Sequence, residues 1–145
     1  MKKLSILFVS VLTLGLAVTS CSSDNDDASI VGKWTPVKMG SEVNGKEILV
    51  DIPKEGTCES DVTEYTADGK FTEISYESND GECEASTDKG TYTYSGKTLS
   101  TKYDGDTTSE SVEVLELSGS TLKVKYTEKI DATTNLVIIT VLQRK

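Results

Sequence analysis

From Ile30 onward apolar and polar positions alternate. Leu122, Val124 and Tyr126 are interleaved with Lys123, Lys125 and Thr127, and Tyr92 and Tyr94 share one parity of their segment. A period of two, apolar on one side and polar on the other, marks a strand with one wet face. Short runs rich in Val, Ile, Thr and Tyr are separated by Gly, Asp, Asn and Ser at intervals of about ten residues, the pattern of an all-β sandwich or barrel. The stretches ADGK at 67–70, SGKT at 95–98 and SGST at 118–121 each stand between two such runs. Their Asp-Gly and Ser-Gly centres supply the positive φ of tight hairpin turns, so consecutive strands form an antiparallel meander. With VGKWTPVKM first and NLVIITVLQ last, the count is about eight strands, at which an up-and-down sheet closes into a small β-barrel.

Two segments depart from this pattern. Residues 136–142 are apolar on both faces apart from Thr140, so the outer side of this last strand requires a cover or a partner. Residues 40–57, GSEVNGKEILVDIPKEGT, form the one long connection, and their Ile-Leu-Val run predicts a lid or short helix over the barrel.

The first 20 residues read differently. Lys2 and Lys3 precede an apolar stretch from Leu4 to Val18. About 15 residues is short of the roughly 20 that a helix needs to cross a bilayer, which predicts a cleaved signal over residues 1–20. Val18, Thr19 and Ser20 run directly into Cys21, and this junction resembles the lipobox of bacterial lipoproteins. The resemblance implies cleavage before Cys21 and acylation of that cysteine, because only a thiol there takes the thioether-linked lipid. Two or three acyl chains give stable anchoring where one gives reversible binding. The expected partner is thus a membrane that the protein is tethered to and does not span. Residues 21–29 then form a polar tether, and residues 30–145 the single domain. Asp24, Asp26 and Asp27 fit a charged spacer, and they equally resemble the acidic signals that send some lipoproteins to the outer face of the outer membrane. The expected location is the cell envelope, on the periplasmic or the surface face of the outer membrane.

Without residues 1–20 the chain keeps 13 basic and 24 acidic residues, a net charge of −11. Such a surface repels nucleic acid and anionic lipid headgroups. Cys58 and Cys83 remain, and in an exported protein a lone thiol pair predicts a disulfide of about 3–4 kcal/mol on the chain-entropy model. Pairing Ala67 with Lys70 puts Cys58 near Asn79, so the bond is expected to clip the open end of this hairpin across a loop. No metal site is expected, since the chain has no histidine and neither cysteine has a second one nearby.

Gly32 and Trp34 in the first strand, a long first connection, a hairpin meander and Arg144 after the last strand resemble the G-x-W motif and terminal arginine of the lipocalin superfamily. CESDVTEYTADGKFTE followed by GTYTYSGKTLS resembles the small lipocalin-like domains of bacterial lipoproteins. The resemblance spans about residues 30–144. It implies that Trp34 closes one end of the barrel with Arg144 lying over it, a cation–π contact of about 0.5–2 kcal/mol. The strands read as short, which implies a calyx that is shallow or filled by side chains.

Catalytic constellations are absent from this reading. Without histidine and with both cysteines oxidised, neither Ser/His/Asp nor Cys/His chemistry is available. The pairs Glu82/Glu84 and Asp104/Asp106 read as a solvated acidic face, and DGDTTSE at 104–110 lacks the glycine of an EF-hand loop. No cofactor is expected. Six tyrosines stand in predicted strands, and an apolar body with a polar tip suits a cavity for a small hydrophobic or amphipathic molecule, although tyrosine is also a good strand former. Tyr92, Tyr94 and Tyr126 are the candidate ligand-lining residues at the barrel mouth. The expected function is ligand binding by a lipid-anchored barrel that is not an enzyme. The alternative is a solidly packed barrel that docks on, or inhibits, an envelope protein through its last strand or residues 40–57.

Overall fold

The computed structural model describes residues 28–54, 56–130 and 135–145. The expectations for the signal, Cys21 and most of the tether lie outside these residues. Nine strands follow one another: β1 (Gly32–Val43), β2 (Lys46–Asp51), β3 (Val62–Tyr65), β4 (Lys70–Asn79), β5 (Glu82–Ser95), β6 (Thr98–Tyr103), β7 (Glu110–Leu117), β8 (Thr121–Lys129) and β9 (Asn135–Arg144). From β3 to β9 each strand pairs antiparallel with the next, and β1 pairs with both β3 and β9. The result is a closed eight-stranded antiparallel barrel, from which the outer half of the β4–β5 hairpin projects.

Strand direction defines two ends. The turns after β3, β5 and β7 lie at one end together with the start of β1 and the end of β9. This end is closed by the buried Trp34. The turns after β4 and β6 lie at the opposite, open end. Trp34, Tyr65, Phe71, Leu99, Val114, Leu122 and Val124 form one inner cluster, the alternation of the sequence made three-dimensional.

β2 lies in the stretch expected to be a lid or a helix. Asn44 (φ 52°) and Gly45 (φ 74°) make a two-residue turn of the primed class, whose twist matches antiparallel strands. β2 therefore pairs with residues 38–43 of β1, beyond the point where β3 has left that edge. This hairpin folds back over the outside of the barrel. A Cβ on Gly40 would overlap the carbonyl of Ile48, so the missing side chain is what lets β2 lie against β1 so closely. Glu47 on β2 reaches Lys123 on β8, two strands past β1. Ile139 shares the outward parity of β9 with its partner Lys125, yet it is 0% exposed. Ile139, on the outer side of the last strand, is thus buried where β2 folds back over Gly40, its neighbour on β1.

The disulfide joins Cys58 and Cys83, with the Cα atoms 5.5 Å apart. Its setting differs from the expected clip across a loop. Asp80 (φ 51°) and Gly81 (φ 87°) form a second primed turn, so β4 and β5 run on as a long hairpin and Cys83 is a strand residue opposite Ser78. Thr66 N–H donates to the Lys70 carbonyl, which shifts the β3–β4 register by one residue from the expected pairing. The bond ties the segment ahead of β3 across β4 to β5.

Candidate ligand-binding site

The barrel encloses a cavity of about 170 Å³. Its wall comes from β3, β4 and β6 to β9. Since β4, β6 and β8 run from the closed end toward the mouth, Phe71, Leu99 and Leu122 form the deep part, with Tyr65 and Leu142 beside them. Glu73, Thr101, Tyr103, Val112 and Tyr126 stand nearer the opening. The deep wall is apolar and aromatic. The rings of Tyr65 and Phe71 are tilted with centroids 6.2 Å apart, and those of Phe71 and Tyr103 meet edge to face at 5.1 Å.

One polar pair marks the collar. Tyr103 Oη donates to Glu73 Oε2 at 2.7 Å, reaching past the intervening strand β5. Burial, followed by this hydrogen bond and by the charges of Glu73 and Glu110, raises the Tyr103 phenol above its ordinary range. Burial, then the charge of Glu73, does the same for Tyr65. Tyr126 is also raised, by burial and then by Glu128. All three therefore remain hydrogen-bond donors at physiological pH.

Of the residues expected to line the site, Tyr126 is on the cavity wall. Tyr92 and Tyr94 are not. They face inward, but close to the turn after β5, and so pack at the closed end against the inner cluster. Tyr92 meets Tyr65 edge to face at 4.8 Å and donates to the Thr66 carbonyl at 2.9 Å. Together Tyr92 and Tyr94 border an open recess shared with Ala28, Ser29 and Ile30. Alternation predicts which face a side chain takes but not its height along the barrel. The wall residues Tyr65, Phe71, Glu73 and Tyr103 were missed for that reason, since β-strand tilt and stagger decide which inward residues share a level.

The closed end is a built structural unit. Trp34 Nε1 donates to the Ile30 carbonyl at 2.8 Å, and the Arg144 guanidinium carbon lies 4.3 Å from the Trp34 ring centroid. Arg144 also donates to the carbonyls of Gly119 (2.6 Å), Val31 (2.8 Å) and Ser29 (2.7 Å). Gly32 has φ 138° and leaves the space that the guanidinium enters. These residues hold the barrel shut and leave access from the other end. Among the described residues no group of three His, Cys, Asp or Glu side chains is arranged to hold a metal ion.

An apolar, aromatic cavity with a few polar groups at its collar holds a small molecule by shape and orients it by hydrogen bonds. Its volume is below the roughly 300–1,000 Å³ typical of sites for drug-sized ligands, which sets the scale of the occupant.

Comparison with known proteins agrees with this architecture. The fold is similar to an uncharacterized protein from Bacteroides eggerthii, with TM-score 0.53 and 16% identity over 81% of this chain and 100% of that one. It is also similar to a lipocalin-like protein from Bacteroides uniformis, with TM-score 0.51 and 19% identity over 79% of this chain and 97% of that one. No curated protein is significantly similar to the chain. Residues 30–124 match the family described as the lipocalin-like domain. The closed barrel, the Trp34–Arg144 cap and this match together make the chain a member of the lipocalin-like domain family.

Proposed function

We propose that the protein is a lipid-anchored lipoprotein of the cell envelope that binds a small hydrophobic or amphipathic molecule inside its barrel. The observation that carries the binding reading is the aromatic-walled cavity of about 170 Å³, open at one end and sealed at the other by Trp34. Small eight-stranded barrels of this family either fill with side chains or hold one small ligand. The space beneath the Glu73–Tyr103 collar favours the second. The anchor rests on Cys21 and the lipobox-like residues before it. The start of β1 supports an orientation: Arg144 holds the Ser29 carbonyl at the closed end, so in this reading the anchor joins the barrel at the end opposite its mouth.

Native mass spectrometry of the purified, oxidised protein after incubation with lipid and metabolite extracts tests the binding reading. A bound mass of a few hundred daltons or less that disappears in a cavity-filling Val124→Trp variant supports it. No adduct, or one that persists unchanged in Val124→Trp, contradicts it. For the anchor, Cys21→Ser is expected to move the protein from the membrane fraction to the soluble fraction.

A second reading has one observation in its favour. Ile48 and Val50 are 56% and 63% exposed on β2, and among the described residues the outer edge of β2 pairs with no other strand. A free edge bearing apolar side chains suits docking on an envelope protein.

A further inference from the structure

We infer that the cavity selects a small cationic ligand, a primary amine with an aromatic or branched apolar body; this rests on the ligand-binding reading above. The first observation is Glu73. It is the carboxylate on the cavity wall, held by Tyr103, and it takes part in none of the ion pairs among the described residues. A carboxylate that an apolar ligand seals from water loses hydration with only a phenol in return. An ammonium group donating to Glu73 restores that loss with a charge-assisted hydrogen bond.

The second observation is how charge is divided between the two faces of the barrel wall. Strand alternation and register give Glu77, Glu84, Asp88, Glu110 and Glu128 the inward parity, with Asp88 opposite Glu73, and Glu77 and Glu84 on the part of the β4–β5 hairpin that runs past β6. Glu110 and Glu128 are close enough to raise the phenols of Tyr103 and Tyr126. The lysines of the same strands, Lys70, Lys89, Lys102, Lys123, Lys125 and Lys129, all take the outward parity. Arg144, the cation with inward parity on β9, is spent on the Trp34 cap at the far end. Among the described residues a ligand entering this mouth passes mostly negative charge, with Lys129 the cation that lines the outer recess beside Glu110 and Glu128. An anionic ligand such as a fatty acid meets repulsion along that path and finds no counter-charge at the collar. A cation gains from both, and the tyrosines Tyr103 and Tyr126 share the cavity wall with Glu73.

The test is calorimetric titration of the purified, oxidised protein with three probes of equal shape: phenethylamine, phenethyl alcohol and phenylacetate. The amine is expected to bind about tenfold more tightly than the alcohol or better, with phenylacetate weakest. Glu73→Gln is expected to remove the amine's advantage over the alcohol, and a cooperative thermal melt followed by circular dichroism checks that the variant is folded. An amine preference that survives Glu73→Gln and vanishes in high salt is diffuse attraction to an acidic surface, and overturns the inference. Alcohol binding equal to or tighter than amine binding also overturns it, and leaves the ligand-binding reading standing. If none of the three binds, both fall. The probe series on the unaltered protein tests the claim without any substitution.

Discussion

Gly32 and Arg144 share one space: the guanidinium of Arg144 occupies the position where a side chain on residue 32 would begin. The glycine's φ of 138° is also one that residues with a Cβ rarely adopt. Gly32→Ala therefore strains the backbone and displaces Arg144 from Trp34, and should cost about 2–4 kcal/mol. Urea unfolding should show a lower midpoint with an unchanged slope. A wild-type midpoint would mean that the cap tolerates a shifted arginine.

Ile139 faces outward on its strand and is nonetheless fully buried, beneath the β1–β2 hairpin. Ile139→Ala should destabilise the protein by about 2–4 kcal/mol, the cost of a core cavity and well above that of a surface substitution. Leu136, on the same strand but 42% exposed, should tolerate alanine with a change of about 0.5 kcal/mol or less. Equal effects at the two positions would contradict the description of β2 as a cover.

The disulfide closes a sequence separation of 25 residues. Its reduction should lower stability by about 3 kcal/mol on the chain-entropy model. Amide exchange should accelerate first in residues 56–61 and in the tip of the β4–β5 hairpin, while the Trp34 end stays protected. Uniform acceleration along the chain would show instead that the bond holds the whole barrel.

Tyr65 and Tyr103 have phenols raised above their ordinary range in the folded state, so folding disfavours their ionised forms. A raised acid contributes stability that is fully present below its unfolded value and is lost as pH rises through the folded one. The barrel should therefore keep its stability to about pH 10 and lose it above. Ultraviolet titration should show the phenols of Tyr65 and Tyr103 ionising only as the fold opens. A single transition near pH 10 with the fold intact would contradict this.

The eight strands of the ring and the Trp34–Arg144 cap were legible because each rests on a local signal: period-two alternation, Asp-Gly and Ser-Gly turns, and a motif of a few residues. Asn44-Gly45 and Asp80-Gly81 carry turn signals of the same kind, but each was absorbed into a segment read as a connection. The ninth strand and the setting of Cys83 were missed with them. The cavity wall was less legible for a different reason. Tyr92 and Tyr126 face inward alike, and only the tilt and stagger of the closed barrel put one at the floor and the other on the cavity. Glu73 reads in sequence as one more exposed acid, and it is the bond from Tyr103, thirty residues away, that identifies it as a collar residue.

The measurement that tests the central claim most directly is a nuclear magnetic resonance titration of the oxidised protein with phenethyl alcohol, a neutral probe small enough for the cavity. The account predicts saturable shifts confined to the side chains of Tyr65, Phe71, Leu99, Tyr103 and Tyr126. The absence of saturable shifts there, or shifts restricted to Ile48 and Val50 on the outside of β2, would contradict a binding cavity and favour protein docking.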